Sequence, residues 1–392
     1  MAQSDDALLK ELQERTFGYF TRYRDEENGL IADKSKDGAP SSIIATGLGL
    51  AAYCVAAERG FLSRAEAAGL TLSTLRFLWQ SPQGPEPDAS GYRGFFYHFL
   101  DMRTGRRVDE CELSSMDSAA LLAGALTAGR YFDAQNTEEA EIRDLAEKLY
   151  RRADWEWMLN GGPTVDMSWR PEEGFLALRW AGYTEALLLY VLGLGSPDHP
   201  LPAESYPAWT DSYRWRRVCD LEYLHAEPLF IHQLSHVWLD FRGIQDAYTR
   251  AKYLDYFQNS RRAAFVQQQY AISNPHHFKG YGELVWGVTA SDGPGDVTKI
   301  VDGVERQFYG YTERGVGGRD DGTLSPWASI ASLPFAPELV LPTIRCIDES
   351  YPGISSELGF KCSFNPTFPD GEKGWIAEGL LRPGSGPGRA DD

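Results

Sequence analysis

Two stretches of this chain leave almost no polar face when wound as helices. Residues 43–60 read IIATGLGLAAYCVAAERG and residues 116–132 read MDSAALLAGALTAGRYF. A helix that is apolar on every side has to be enclosed by other elements. Each of these is followed by a helix with a wet face, residues 64–79 and 138–157 respectively. The alternation continues. Residues 183–194 are apolar, 227–241 mixed, 244–269 long and amphipathic, and 334–347 apolar again. The opening segment, residues 5–23, places Leu8, Leu9, Leu12, Phe17 and Phe20 at helical spacing. Inner helices therefore begin near residues 43, 116, 184, 229, 283 and 334. Six of them, each paired with an outer helix, describe an all-α (α/α)6 toroid whose repeat lies in pattern rather than in identity. A single domain is expected over residues 1–381. The tail over residues 382–392, RPGSGPGRADD, is expected to be disordered, being polar and rich in Gly and Pro.

Long loops separate these helices, over residues 81–114, 160–182, 274–282 and 291–334. Loops of that length inside a compact domain are usually functional. They hold most of the notable acids and tryptophans. The formal charge of −18 excludes a phosphate-backbone partner, which needs a basic surface, and disfavours a polyanionic substrate. The chain is dense in aromatics, with 11 Trp, 20 Tyr and 19 Phe, which permits a cleft that stacks against sugar rings. Five cysteines without a CxxC pair give no zinc pattern and no disulfide framework. The polar start, MAQSDDALLKELQ, has no signal-peptide pattern, and no apolar run is long enough to span a bilayer. The sequence as written is thus expected in the cytoplasm, or in the periplasm or medium if a leader has been removed.

Four groups of residues could carry chemistry. The first is DECELSSMD, residues 109–117, with four acids at the mouth of a buried helix. Ser114 and Asp117 also fit an N-terminal cap, so Asp117 has two readings. Glu112 precedes the helix and has no capping duty. The second is Glu185, just inside an apolar helix, where burial would raise its pKa towards the general-acid range and the helix dipole would oppose that. The third is Glu283 among Gly and aromatics, followed by Asp292 before Gly293-Pro294, which also fits a turn. The fourth is His232 and His236, one helical turn apart. Gln233 follows His232, so HExxH is absent and a metal is not expected. A sugar-hydroxyl contact or a satisfied core position fits both histidines. Trp169, Trp180, Tyr183 and Trp286 flank the acids and are read as sugar-stacking residues or core plugs. No P-loop, dinucleotide fingerprint or GxSxG elbow occurs, so no cofactor is expected. Hydrolysis of a sugar linkage needs only two carboxyls at a set separation and a cleft. The working acids are expected among Glu112, Asp117, Glu185 and Glu283, with Glu185 foremost.

Several ordered motifs resemble one known family. They include GFFYHFLDMRTGRR from Gly94, ELSSMDSAALLAGAL from Glu112, GYTEALLLYVLGLGSP from Gly182 and PLFIHQLSHVWLDFRG from Pro228. YGELVWGVTASDGPG from Tyr281, DDGTLSPWASIASLPFAPE from Asp320 and FNPTF from Phe364 complete the set. Over roughly residues 7 to 379 the chain resembles the bacterial glycoamylase-like domain, a group that includes glycoside hydrolase family 144. The resemblance implies the toroid, action on a neutral β-1,2-glucan in endo or exo mode, and inversion at the anomeric carbon. Another toroidal sugar enzyme, such as a hydrolase of a different linkage or an epimerase, or a sugar-binding protein with little catalysis, stands as the alternative. The chain departs from the family after Gly374-Trp375-Ile376. There a Gly-Ile-Asp-Gln-Gly-Pro motif and a final apolar helix give way to LLRPGSGPGRADD, as a change of reading frame would produce.

Overall fold

The computed structural model describes residues 3–371 and 373–380; the tail beyond residue 381 lies outside them. The chain divides into two compact units. One comprises residues 13–182 and 186–212, and the other the described residues of 1–12, 183–185 and 213–382.

Helix α1 (Asp5–Arg22) opens the chain with two acids in its first turn and Arg22 in its last, as the helix dipole favours. In the first unit the two all-round apolar stretches form α2 (Ile43–Arg59) and α4 (Ser115–Tyr131). Nearly every residue of the first half of each is buried. They pack backbone to backbone. A Cβ on Gly47 would stand 2.6 Å from the Ala120 carbonyl oxygen, and one on Gly124 would stand 2.1 Å from that of Gly47. No side chain fits between them. Each has an outer partner. Helix α3 (Arg64–Gln80) starts with a capping box between Ser63 and Glu66. Helix α5 (Thr137–Arg152) starts where the Asn136 side chain accepts from the Glu139 amide, and buries Ile142, Leu145, Ala146 and Leu149 along one stripe. Arg64 binds Glu139 at 2.8 Å. Helices α6 (Trp155–Leu159), α7 (Leu187–Gly195) and α8 (Ser205–Thr210) complete this unit.

The same unit carries a five-stranded antiparallel sheet, in the order Gly91–Tyr92, Phe95–Tyr97, Leu113–Ser114, Ser168–Arg170 and Gly174–Phe175. This corrects the all-α expectation. The loops over 81–114 and 160–182 are where the sheet lies. GYRGFFYHFL turns at Arg93-Gly94, both at positive φ, and pairs across that turn. Aromatic residues at close spacing favour a half-buried pleat.

In the second unit α9 (Ala247–Ala251), α10 (Tyr256–Ser273), α11 (Pro326–Ile330) and α12 (Pro337–Ser350) are the α-helices among the described residues, apart from the start of α1. Trp286, Leu229, Ala263, Ala264, Val340 and Ile344 meet in its core. Three sequence expectations change here. The stretch 244–269 is broken, because Tyr253 sits at positive φ and Asp255 caps a new helix by accepting from the Gln258 amide. The inner helix expected near 229 is two 3-10 turns, Leu229–His232 and Leu234–Val237. No helix forms near 283; Gly282 and Val285 exchange backbone hydrogen bonds around a tight turn, and Gly287 has φ of 118°. Residues 309–323 are tied down by the fully buried Arg314. Its guanidinium binds both oxygens of Asp321, at 2.7 and 2.9 Å, and donates to the Ser291 carbonyl at 2.7 Å.

The glycine contact yields a direct test. Replacing Gly124 by Val should cost about 1–3 kcal/mol, the usual penalty of overpacking a filled interior. A fall in the urea midpoint at unchanged slope would show it, and an unchanged midpoint would mean that α2 and α4 can separate.

Candidate active site

The site is built from the sheet upward. Phe96 pairs with Ser114 and Tyr97 with Leu113, while Ser114 pairs with Ser168 and Leu113 with Trp169. Opposed residues share a face of a sheet and successive residues alternate. Tyr97, Leu113 and Trp169 therefore occupy one face, and Phe96, Ser114 and Ser168 the other. The next rung places His98 opposite Glu112, with the His98 amide donating to the Glu112 carbonyl at 2.9 Å. Arg170 stands across from Glu112 on its other side.

Ser114 ends the strand and caps α4. Its hydroxyl accepts from the Asp117 amide at 3.2 Å and donates to Asp117 Oδ2 at 2.5 Å. The chain thus delivers Glu112 from a strand and Asp117 from the first turn of a buried helix. His98 lies between them. Its Nδ1 is 2.8 Å from Glu112 Oε1 and its Nε2 3.8 Å from Asp117 Oδ2. The side chains of His98 and Asp117 are 3% and 8% exposed, that of Glu112 19%, so Glu112 is the member that meets solvent. The imidazole stacks on Phe99, 4.0 Å between centroids.

The three groups tune one another. Burial alone disfavours the His98 imidazolium, but the charge of Asp117, the hydrogen bond and charge of Glu112, and the charge of Asp33 outweigh it and push the pKa up to about 9. Burial would also raise Glu112; the hydrogen bond and charge of His98, helped by Arg170, overcome this and hold its carboxyl below the ordinary range. Asp117 goes the other way, because complete burial outweighs His98 and Ser114 and pushes its carboxyl up. Sequence reasoning named both acids among its candidates and did not name His98. The available signal was a lone histidine in the aromatic strand run, on the same alternation as Phe96.

The remaining expected residues fall into other settings. Trp180 is buried, and its Nε1 donates to Ser115 Oγ at 2.9 Å, pinning the start of α4. Trp169 is half-buried against Tyr92 and Trp157, on the sheet face opposite to Glu112. In the second unit Glu185 is half-buried and its carbonyl accepts from Ser235 Oγ at 3.3 Å. It precedes α7, which starts two residues later, so it is not a residue of that helix's first turn. Tyr183 is buried against Tyr213, His232 and Tyr256. Glu283 is exposed at the tip of its turn, because that segment forms no helix. Trp286 is fully buried, with Nε1 donating to Thr343 Oγ1 at 2.9 Å, which makes it a core plug. His232 is likewise a satisfied core residue. Asn259 lies 3.3 Å from its Nδ1, the Ala226 carbonyl 3.4 Å from its Nε2, and burial pushes its pKa down to about 3. His236 lies among Phe241, Phe257 and Phe335, 3.1 Å from Ser260 Oγ, and burial lowers it to about 4. Asp292 is half-buried, and its carbonyl accepts from Ser363 Oγ at 2.6 Å. Among the described residues no helix is long and apolar enough to cross a membrane.

The trio makes stability depend on pH in a defined direction. His98, raised above its ordinary 6.5, contributes fully below that value and loses its contribution as pH rises through about 9. Glu112, lowered, contributes above its ordinary 4.5 and loses its share as pH falls. The gap in Tm between the wild type and His98→Phe should therefore be widest near pH 5–6 and narrow towards pH 10. A gap that is flat across that range would contradict the ion-paired arrangement.

Comparison with known proteins places the chain. The glycoamylase family model, described as "Putative glucoamylase", matches residues 177–388. The exo β-1,2-glucooligosaccharide sophorohydrolase (non-reducing end) of Parabacteroides distasonis is 26% identical over 402 residues, covering 93% of this chain and 52% of that protein. The chain thus spans about half the length of that curated relative. A crystal structure from Bacteroides uniformis, named "putative glucoamylase", superposes with a TM-score of 0.85 at 30% identity, covering 97% of this chain and 89% of the other. The endo-β-1,2-glucanase of Chitinophaga pinensis, solved with sophorotriose and glucose, shares the fold with a TM-score of 0.84 at 24% identity, covering 97% and 90%. With a family match over more than half its length and a 30% identical relative spanned almost whole, this chain belongs to the glycoamylase family.

Proposed function

We propose that this chain is a glycoside hydrolase that cleaves β-1,2-linked glucan with inversion, using Glu112 and Asp117 as its acid–base pair. The observation that carries the reading is the opposite tuning of these two carboxyls, one lowered and one raised, on the two nitrogens of one imidazole at 2.8 and 3.8 Å. Two titratable groups pushed apart by their surroundings are the mark of a divided acid and base role. An inverting reaction needs a carboxyl that protonates the leaving oxygen and a carboxylate that takes a proton from the attacking water. Asp117 is suited to hold the first proton. Glu112, anionic and open to solvent, is suited to activate the water. The choice of β-1,2-glucan rests on the sophorohydrolase relative.

Glu185 stays in the proposal as a further working acid, half-buried ahead of α7. Glu283 ranks last of the four, because its turn leaves the side chain in water. Of the four expected stacking residues, Trp169 keeps the most accessible ring. The pairs α2/α3 and α4/α5, each an enclosed helix followed by a half-exposed one, support the helical-hairpin repeat, and a single catalytic domain over residues 1–381 stays part of the proposal. The epimerase alternative leaned on His232, which is 1% exposed and has its pKa pushed down to about 3 by burial.

The test is incubation with linear β-1,2-glucan and with glucans of other linkage, followed by product sizing and by NMR of the first-formed anomer. Release of short β-1,2 products as the inverted anomer is expected. Products from another linkage alone would move the substrate, and the retained anomer would overturn inversion. Glu112→Gln and Glu185→Gln should each lower turnover on the order of 10²–10⁴-fold, as removal of a general acid or base does. A folded variant that keeps more than half of wild-type turnover would remove that residue from the machinery.

A further inference from the structure

Resting on the acid–base reading above, we propose that His98 is a positioning residue for the reaction: buried between Glu112 and Asp117, its ring fixes the Glu112 carboxylate and keeps it the proton acceptor of the pair. The geometry leaves the ring little choice. Both nitrogens face carboxylates, Nδ1 at 2.8 Å from Glu112 and Nε2 at 3.8 Å from Asp117. The backbone fixes it from both sides. The His98 amide donates to Glu112, and its carbonyl accepts from the Ile43 amide, the first residue of α2, at 3.2 Å. Phe99 stacks on its face. With 3% of its side chain exposed and its Nδ1 on Glu112, the most exposed of the three, His98 acts through Glu112.

Charge completes the argument. A buried cationic ring beside two carboxyls stabilises negative charge most on the partner that is nearer to it and less buried. Glu112 meets both conditions, with Arg170 adding to the same side. Burial pushes the carboxyl of Asp117, enclosed at the helix start, above its ordinary range. Glu112, Asp117 and, from ahead of α2, Asp33 are the groups that raise His98. The three groups act on one another, and such coupled groups titrate as a set.

Two substitutions separate orientation from charge. Asn at position 98 can place an amide nitrogen where Nδ1 stands, which keeps the hydrogen bond to Glu112 without the charge; Phe keeps the stacking and loses both. His98→Phe should lower kcat on the order of 10²-fold, within the range of acid–base contributions, with little change in KM. The acidic limb of its kcat/KM profile should move to higher pH, because the Glu112 carboxylate loses its cation. His98→Asn should recover part of kcat and keep the shifted limb. In the wild-type full chain, ¹⁵N-histidine NMR should show one imidazolium that persists to about pH 9. This measurement needs neither variant nor activity, so it decides even if both variants fail to fold. A His98 signal that is neutral at pH 7, or folded variants with unchanged kcat and an unchanged acidic limb, would overturn the inference. If Glu112→Gln is fully active, the acid–base reading falls instead, which the NMR titration does not touch.

Discussion

The backbone contact between α2 and α4 is the constraint on which the first unit depends. Gly47 and Gly124 bring two helices together with nothing between them, and this fixes the position of α4 along its axis. The first turn of α4 carries Asp117, and the strand that runs into it carries Glu112. The first residue of α2 in turn holds the carbonyl of His98. Two of the most apolar segments in the chain therefore set the place of its most polar cluster. The small residues belong to the chemistry even though none of them touches it.

The chain buries charge in two ways. Arg314 and Asp321 pair face to face, with both side chains fully enclosed and further carbonyls satisfying the guanidinium. Such a pair, once made, has no reason to change state, and losing one partner would leave a naked charge inside. The cluster of His98, Glu112 and Asp117 has three titratable groups and one partly open edge. It can take up or give off a proton at that edge, with the change of charge shared among the three groups. The first arrangement holds a loop in place. The second is suited to a reaction.

How much of this the sequence disclosed follows from the range of the interactions. Helices α2 to α5 are legible because periodicity and caps act over a few residues; the Ser63–Glu66 box and the Asn136 cap sit where local chemistry puts them. Glu112 and Asp117 were visible as acids at a helix mouth. The sheet was not, because its strands have two or three residues each and become strands only by pairing, in one case across more than fifty positions of chain. For the same reason His98 was invisible as a partner, fourteen residues from Glu112. The expected inner helix near 283 misled because Trp286 and its apolar neighbours fit a buried helix and a buried turn equally well; Gly282 and Gly287 decided for the turn. His232 and His236 at helical spacing suggested a shared function, yet their surroundings fill and desolvate each ring separately.

The hairpin that joins His98 to Glu112 has its tip around residues 103–106, with Arg103, Thr104 and Arg106 exposed and Gly105 buried, held by Asp101, and that tip lies outside the ladder that aligns the two side chains. Extra residues there would lengthen the tip and leave the rungs alone. The interval from Glu112 to Asp117 has no such slack. One residue added to it would send the Glu112 side chain to the other face of the sheet, since strand side chains alternate, or turn Asp117 about a quarter of the way round its helix, at 3.6 residues per turn. Among relatives, the first interval should therefore drift freely in length and the second should be counted to the residue. An insertion library across residues 98–117 would map that boundary as a sharp step in function.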